Sequence, residues 1–280
     1  HIITDASGAE VEVPLRPRSI AIVNAALPSM VYAVQGTAEN ISAVVPSAYE
    51  GWEISIMKDL APEFADVNTE VISNDFEVNV EALALTEADL LIARTSDAGQ
   101  AEQISAMGIP VALVAAGKDI DSLKKEILMM GEILNSQERA EALVAWYEET
   151  EAFVNTKADQ IAALSESEKP RVLHFQYAEK LQIYADGVNP YITDWVGGQN
   201  IELTGSSAET STPAMEEILA YDPEIVFLSN FDDVTPEDLY QNRLEGQDWS
   251  NVSAVKNRRV NKVPCGLYRW EPPNTLEKPL

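Results

Sequence analysis

The sequence predicts an α/β protein: two Rossmann-like lobes joined by a single long backbone helix. Three observations lead there. Short apolar strands alternate with helices through the first part of the chain, and the same alternation restarts after Pro170. Between the two runs lies one helical stripe with no Gly or Pro inside it. The implied domains are an N-terminal α/β lobe over 1–118, a helical connection over 119–169 that contains the long helix, and a C-terminal α/β lobe over 170–280.

In the first lobe, Ser19–Val23, Ile41–Val45, Glu70–Ile72, Asp89–Ala93 and Val111–Ala115 are short runs rich in Ile and Val, read as strands. Helices are expected near Ser29–Gln35, Glu53–Leu60, Val80–Leu85 and Gly99–Met107. Continuous apolar strands separated by helices imply a parallel sheet covered on both faces. Asp119 to Leu134 adds a helix that leads into the long one. That helix is expected over Asn135–Ser165, with Asn135 and Glu138 at the spacing of a capping box. Leu143, Tyr147, Thr150, Val154, Ala158 and Ile161 draw its apolar stripe, which Trp146 and Phe153 widen. At 1.5 Å per residue it would be roughly 45 Å long.

After Pro170 the expected strands are Arg171–Phe175, Leu181–Ala185, Ile201–Leu203, Glu224–Ser229 and Arg259–Val263. Their helices fall near Tyr191–Val196, Met215–Tyr221, Pro236–Asn242 and Trp249–Val255. An internal repeat relates the lobes: the fourteen residues Asn79–Ile92 align without gaps on Ala214–Phe227. Each copy reads as a short helix, an acidic turn and a buried strand.

Composition sets the bounds. With 280 residues, 46% of them hydrophobic, the chain can bury a sizeable core. No apolar run is long enough to cross a bilayer. His1-Ile2-Ile3-Thr4-Asp5 reads as a strand, the pattern of a mature chain whose signal segment lies outside it. A formal net charge of −27 argues against nucleic acid, whose phosphates would be repelled. Cys265 stands alone, so an intrachain disulfide and a thiol metal cluster are excluded.

The segments Val11-Glu12-Val13-Pro14, Pro17-Arg18-Ser19-Ile20, Tyr32-Ala33-Val34-Gln35-Gly36, Gly197-Gly198-Gln199-Asn200-Ile201 and Asp248-Trp249-Ser250-Asn251-Val252 follow one another in a recognisable order. With the two repeated segments, they resemble the class III periplasmic substrate-binding proteins of ABC importers for iron complexes and cobalamin. The resemblance covers nearly the whole chain. One departure is that the family usually continues past a segment like Tyr268-Arg269-Trp270 into further C-terminal helices, which the remaining residues to Leu280 do not supply.

Ligands of open parallel sheets bind at the carboxyl ends of strands. The residues expected there as ligand contacts are Asn24, Ser47, Tyr49, Trp52, Asn74, Arg94, Tyr177, Asn230, Tyr268, Arg269 and Trp270. The resemblance implies that the two rims face one cleft between the lobes. Arg94 and Arg269 offer planar donor forks for carboxylate, catecholate or oxyanion oxygens. The aromatic residues offer flat walls with a polar edge. His174 lies in an apolar strand and reads as a core histidine, and two histidines so placed do not make a direct Zn or Mn site. Asp232-Asp233 and Asp75-Glu77 read as solvated turns.

Catalysis finds little footing. Thr204-Gly205-Ser206-Ser207 lacks the flanking glycine of a nucleophile elbow, and no histidine is placed as its base, which leaves a hydrolase as a distant alternative. The resemblance implies capture of an iron(III)–siderophore or similar metal chelate outside the cytoplasm and its delivery to an ABC permease dimer. The other ligands weighed are a molybdate or tungstate oxyanion and a tetrapyrrole (haem, cobalamin). Glu81 and Glu216, equivalent in the repeat, match the family's permease-docking carboxylates. The expectation is a monomer with no cofactor of its own, periplasmic or extracellular, held to a membrane only through the permease or a lipid anchor outside this chain.

Overall fold

A computed structural model describes residues 1–201, 210–230 and 232–263. They form two compact units, the first His1–Glu149 and the second beginning at Thr150. The first opens with a hairpin of β1 (Ile2–Thr4) and β2 (Glu10–Glu12), antiparallel to each other. Then follow β3 (Ile20–Val23), α1 (Leu27–Gln35), β4 (Ile41–Val44), α2 (Pro46–Glu53), α3 (Met57–Leu60), α4 (Val80–Leu85), β5 (Leu90–Arg94), α5 (Ala101–Ala106), β6 (Val111–Val114), α6 (Ile120–Ile133) and α7 (Gln137–Asn155). The sheet runs β4-β3-β5-β6, all parallel. Every residue of β3 and β5 is buried, as strands covered on both faces require.

Two elements of this unit depart from expectation. Glu70–Ile72 is not a strand; isolated bridges join Ala43 to Asn68 and Ile72 to Val78 instead. The helix expected over Glu53–Leu60 is two pieces: α2 starts earlier, at Pro46, where a proline suits the first turn, and α3 is one turn long.

The long helix is corrected more substantially. Asn135 is no N-cap: at φ 49° it is a left-handed residue that closes α6. The Ser136 N–H donates to the Gly131 carbonyl at 2.8 Å and the Asn135 N–H to that of Glu132 at 3.2 Å, turning the chain sharply. A side chain at Gly131 would bring its Cβ to 2.5 Å from that of Ala140, so glycine there lets α7 pack close behind the turn. α7 itself has 19 residues, about 28 Å. It ends before Thr156, whose hydroxyl donates to the Phe153 carbonyl at 2.6 Å, and the short α8 (Ala158–Ala162) follows. Ala140, Tyr147 and Val154 are buried along α7, whereas Trp146 and Phe153 are exposed and do not widen the stripe.

The second unit contains β7 (Arg171–Tyr177), β8 (Gln182–Tyr184), α9 (Val188–Trp195), β9 (Gln199–Asn200), β10 (Thr210–Ser211), α10 (Met215–Tyr221), β11 (Ile225–Leu228), α11 (Pro236–Tyr240), α12 (Ser253–Lys256) and β12 (Val260–Lys262). Its sheet runs β10-β8-β7-β11-β12, with β9 pairing to the start of β7. β7, β11 and β12 are parallel, but β8 runs antiparallel to β7. The four residues between β7 and β8 allow a tight return and no crossover. Of the strand expected over Ile201–Leu203, Ile201 is in no strand and the rest lies outside the described residues. Trp249 does not start a helix. It is fully buried in a turn, its ring edge-on to Phe175 at 5.6 Å, at the centre of a core with Leu173, Ile183, Ile218, Val226 and Leu239. Among the described residues, no helix is long and apolar enough to cross a membrane.

Candidate functional site

Both sheets place their first strand centrally, between β4 and β5 in one unit and between β8 and β11 in the other. In the first, all-parallel sheet this reversal of strand order opens a crevice at the carboxyl ends of β3 and β5; in the second the carboxyl ends of the parallel β7 and β11 lie side by side, and β8 returns from β7 as a hairpin. In the first unit those ends carry Asn24 and the residues 95–97. Asn24 accepts the Ala26 N–H on Oδ1 at 2.9 Å, which fixes its amide so that Nδ2 donates to Asp97 Oδ2 at 3.2 Å. Ser96 Oγ donates to Asp97 Oδ1 at 2.8 Å. In the second unit the ends of β7 and β11 carry Gln176, Tyr177, Ser229 and Asn230. Ser229 Oγ donates to the Gln176 carbonyl at 2.9 Å and ties the two strand ends together. The Lys180 ammonium lies 5.0 Å from the Tyr177 ring centre, and Asn230 Nδ2 is buried with no hydrogen-bond partner among the described residues.

The other expected contacts divide. Ser47 and Asn74 are brought together: Asn74 Oδ1 accepts the Ser47 N–H at 2.9 Å in the first turn of α2. Tyr49 is half-buried, its ring 5.3 Å from that of Trp52. Trp52 is corrected to a core residue: only 4% exposed, it packs on Phe64 and donates its indole N–H to the Ala61 carbonyl at 2.9 Å. Arg94 is corrected as well. Its guanidinium is buried and meets Glu126 at 2.5 Å and the Ala115 carbonyl at 3.1 Å, so it is engaged inside the unit and not offered to a ligand. Glu126 also accepts the Gly117 N–H at 3.0 Å. Burial pushes the Glu126 carboxyl above the usual carboxylate range, and the Arg94 charge pulls it back down.

His174 is buried, shares a 2.7 Å hydrogen bond with Thr193 Oγ1 and stacks on Phe227. Asp232 is corrected from a solvated turn: it is 6% exposed, and its carboxylate accepts the N–H groups of Ala178 at 2.6 Å and Val234 at 3.1 Å. Asp75 and Glu77 stay exposed. Tyr268, Arg269 and Trp270 lie outside the described residues. Asp97 was not among the expected contacts; its place three residues after Arg94 at a strand end was the available signal.

Residues 20–264 match the family model described as periplasmic binding protein. The chain belongs to that family. A periplasmic solute binding protein from Veillonella parvula DSM 2008 is 37% identical, with a TM-score of 0.87; the match covers 99% of this chain and 82% of that one. The uncharacterized ABC transporter substrate-binding lipoprotein YvrC of Bacillus subtilis (strain 168) is 22% identical over 280 residues, 98% of this chain and 82% of the relative. The molybdate periplasmic binding protein MolA of Haemophilus influenzae, bound to molybdate, has a similar fold: 18% identity, TM-score 0.76, covering 95% of this chain and 83% of that one. The protein is thus a solute-binding protein of an ABC transporter and not an enzyme, with a small-molecule ligand and a permease as partners.

For a periplasmic binding protein the internal repeat acquires a concrete form. Glu81 and Glu216 are both exposed, each the second residue of its helix, α4 and α10. The first turns are capped differently. Asn79 accepts the Ala82 N–H at 3.1 Å, whereas Glu217 accepts the Ala214 N–H at 2.7 Å. The acidic turns match closely, with Glu87 at φ 52° and Asp222 at φ 51°. Asp89 accepts the N–H groups of Arg18 and Ser19 ahead of β3, and Glu224 accepts that of Arg171 at the start of β7. The repeat therefore extends to how the residue ahead of β5 anchors the start of β3 and the residue ahead of β11 anchors the start of β7.

Proposed function

We propose that this protein captures a metal chelate of the iron(III)–siderophore class outside the cytoplasm and delivers it to an ABC permease dimer. The observation that carries the reading is the Asn230 side chain, a buried N–H donor without a partner among the described residues, just past the carboxyl end of β11 in the second sheet. Such a group costs about 1–3 kcal/mol, which an acceptor oxygen on a ligand would relieve. Within the first unit Asn24, Ser47, Asn74 and the half-buried Tyr49 offer polar edges and a flat wall, and within the second the half-buried Tyr177 offers another, the features that an organic chelating shell requires. Tyr268, Arg269 and Trp270 join them on the strength of the family resemblance.

A bare oxyanion is the second reading, favoured by the fold shared with a molybdate-bound protein. It ranks lower because an oxyanion needs several convergent donors, and the guanidinium of Arg94 is already engaged by Glu126. Delivery would use Glu81 and Glu216 as one docking carboxylate per lobe, steering the protein and fixing its orientation on a two-fold partner. The monomeric state and a lipid anchor outside this chain, as in the lipoprotein relative, complete the proposal.

Native mass spectrometry and tryptophan quenching against ferric trishydroxamates, ferric tricatecholates, haem, cobalamin and molybdate test it. Saturable binding of a ferric chelate is expected. Binding of molybdate, haem or cobalamin with no ferric chelate bound would overturn it.

A further inference from the structure

The repeat runs further than its helix and strand: carried on without gaps, residues 79–97 fall on 214–232 and Asp97 falls on Asp232. The two aspartates do the same thing in different ways. Each reaches from the loop after one central strand to the loop after its parallel neighbour, from β5 to β3 for Asp97 and from β11 to β7 for Asp232. Asp232 is closed off, with both oxygens on backbone N–H groups and the Lys262 ammonium donating to its carbonyl. Asp97 is only half-buried, and both its partners are side chains, Asn24 Nδ2 at 3.2 Å and Ser96 Oγ at 2.8 Å. Among the described residues no ion pair includes Asp97, and the one cation on its strand end, Arg94, points to Glu126. A carboxylate with four lone-pair positions, neutral neighbours and no counter-charge sits where a ligand of this sheet binds.

We infer that Asp97 is a specificity-determining residue, selecting metal chelates that present an ammonium or similar cationic donor and disfavouring polyanionic chelates and oxyanions. The inference rests on the chelate reading above. A ligand ammonium would replace the long Asn24 contact with a charge-assisted bond, and Asn24, held by the Ala26 N–H, would stay in place beside it.

The test uses a ferric trishydroxamate with one free ammonium and the same chelate with that amine acetylated, titrated by tryptophan quenching into wild type and Asp97→Asn. Wild type is expected to bind the ammonium form about tenfold or more tightly, the size of one charge-assisted hydrogen bond. Asp97→Asn should bind the two forms equally and melt at an unchanged temperature. Equal binding of both forms by wild type, or a preference that survives in Asp97→Asn, would overturn the inference while leaving chelate capture intact. Failure of wild type to bind either form would overturn this inference, and chelate capture with it if the ferric tricatecholates also fail to bind.

Discussion

Replacing Arg94 with Met separates a structural arginine from a ligand-binding one. The side chain keeps its unbranched stem but loses the guanidinium and its charge, leaving the Glu126 carboxylate, itself 4% exposed, with only the Gly117 N–H as a partner. Removing one partner of a buried ion pair costs about 3–5 kcal/mol at neutral pH. With a urea slope of about 2 kcal/mol/M, the unfolding midpoint should fall by roughly 1.5–2.5 M. The pH dependence follows from the direction of the Glu126 shift. Its folded pKa lies above its unfolded one because burial outweighs the pull of Arg94. The folded state therefore binds the proton more readily, and stability rises as pH falls through that window. Without Arg94 the carboxyl is pushed higher still, so the deficit against wild type should shrink on acidification from neutrality. Arg94→Met with Glu126→Leu should recover most of the loss, since an apolar pair of similar volume replaces the ions. The assay is urea unfolding followed by tryptophan fluorescence at several pH values. A single-variant cost below about 1 kcal/mol, or a deficit that grows on acidification, would refute the reasoning. Lost ligand affinity with stability intact would return Arg94 to the ligand.

Two further substitutions follow from the same placements. Trp52→Ala should destabilise by about 3–5 kcal/mol, as expected of a large core side chain, with the cost read from a denaturant midpoint; a near-neutral result would put Trp52 back on the rim. Glu81→Ala with Glu216→Ala should abolish uptake in a transport assay while chelate affinity and melting temperature stay at wild-type values, and normal transport would remove both from the docking role.

Much of the fold was legible because its signals are local. The apolar runs at β3, β5, β6, β7 and β11 announce buried strands, and α4 and α10 were placed to the residue by their pattern. Asn135 misled because one residue between two helices satisfies two rules: its spacing to Glu138 fits a cap for the helix ahead, but its left-handed backbone closes the helix behind. The candidate site was legible only as a set of strand ends. What each side chain does there depends on a partner far along the chain. Glu126 is 32 residues from Arg94, and Asn24 is 73 from Asp97. Nothing in the local pattern distinguishes an arginine aimed at a ligand from one aimed at a helix behind it.

The two equivalent aspartates carry the clearest contrast between repeat position and surroundings. Asp232→Ala removes the acceptor from two backbone N–H groups, Ala178 at 2.6 Å and Val234 at 3.1 Å, at a site where water is excluded. Each such bond to a charged group is worth about 1.5–3 kcal/mol, so the loss should reach about 3 kcal/mol or more. Asp97→Ala removes bonds to two side chains at a half-exposed site, where water can replace the lost carboxylate, and should stay within about 1 kcal/mol of wild type. Urea unfolding of the two variants beside wild type measures both numbers. The repeat supplies a carboxylate at the same point of each unit, and burial decides whether it fastens the loops or remains available. Equal costs at the two positions would mean that Asp97 fastens its crevice as Asp232 does, and that it is not free to bind a ligand.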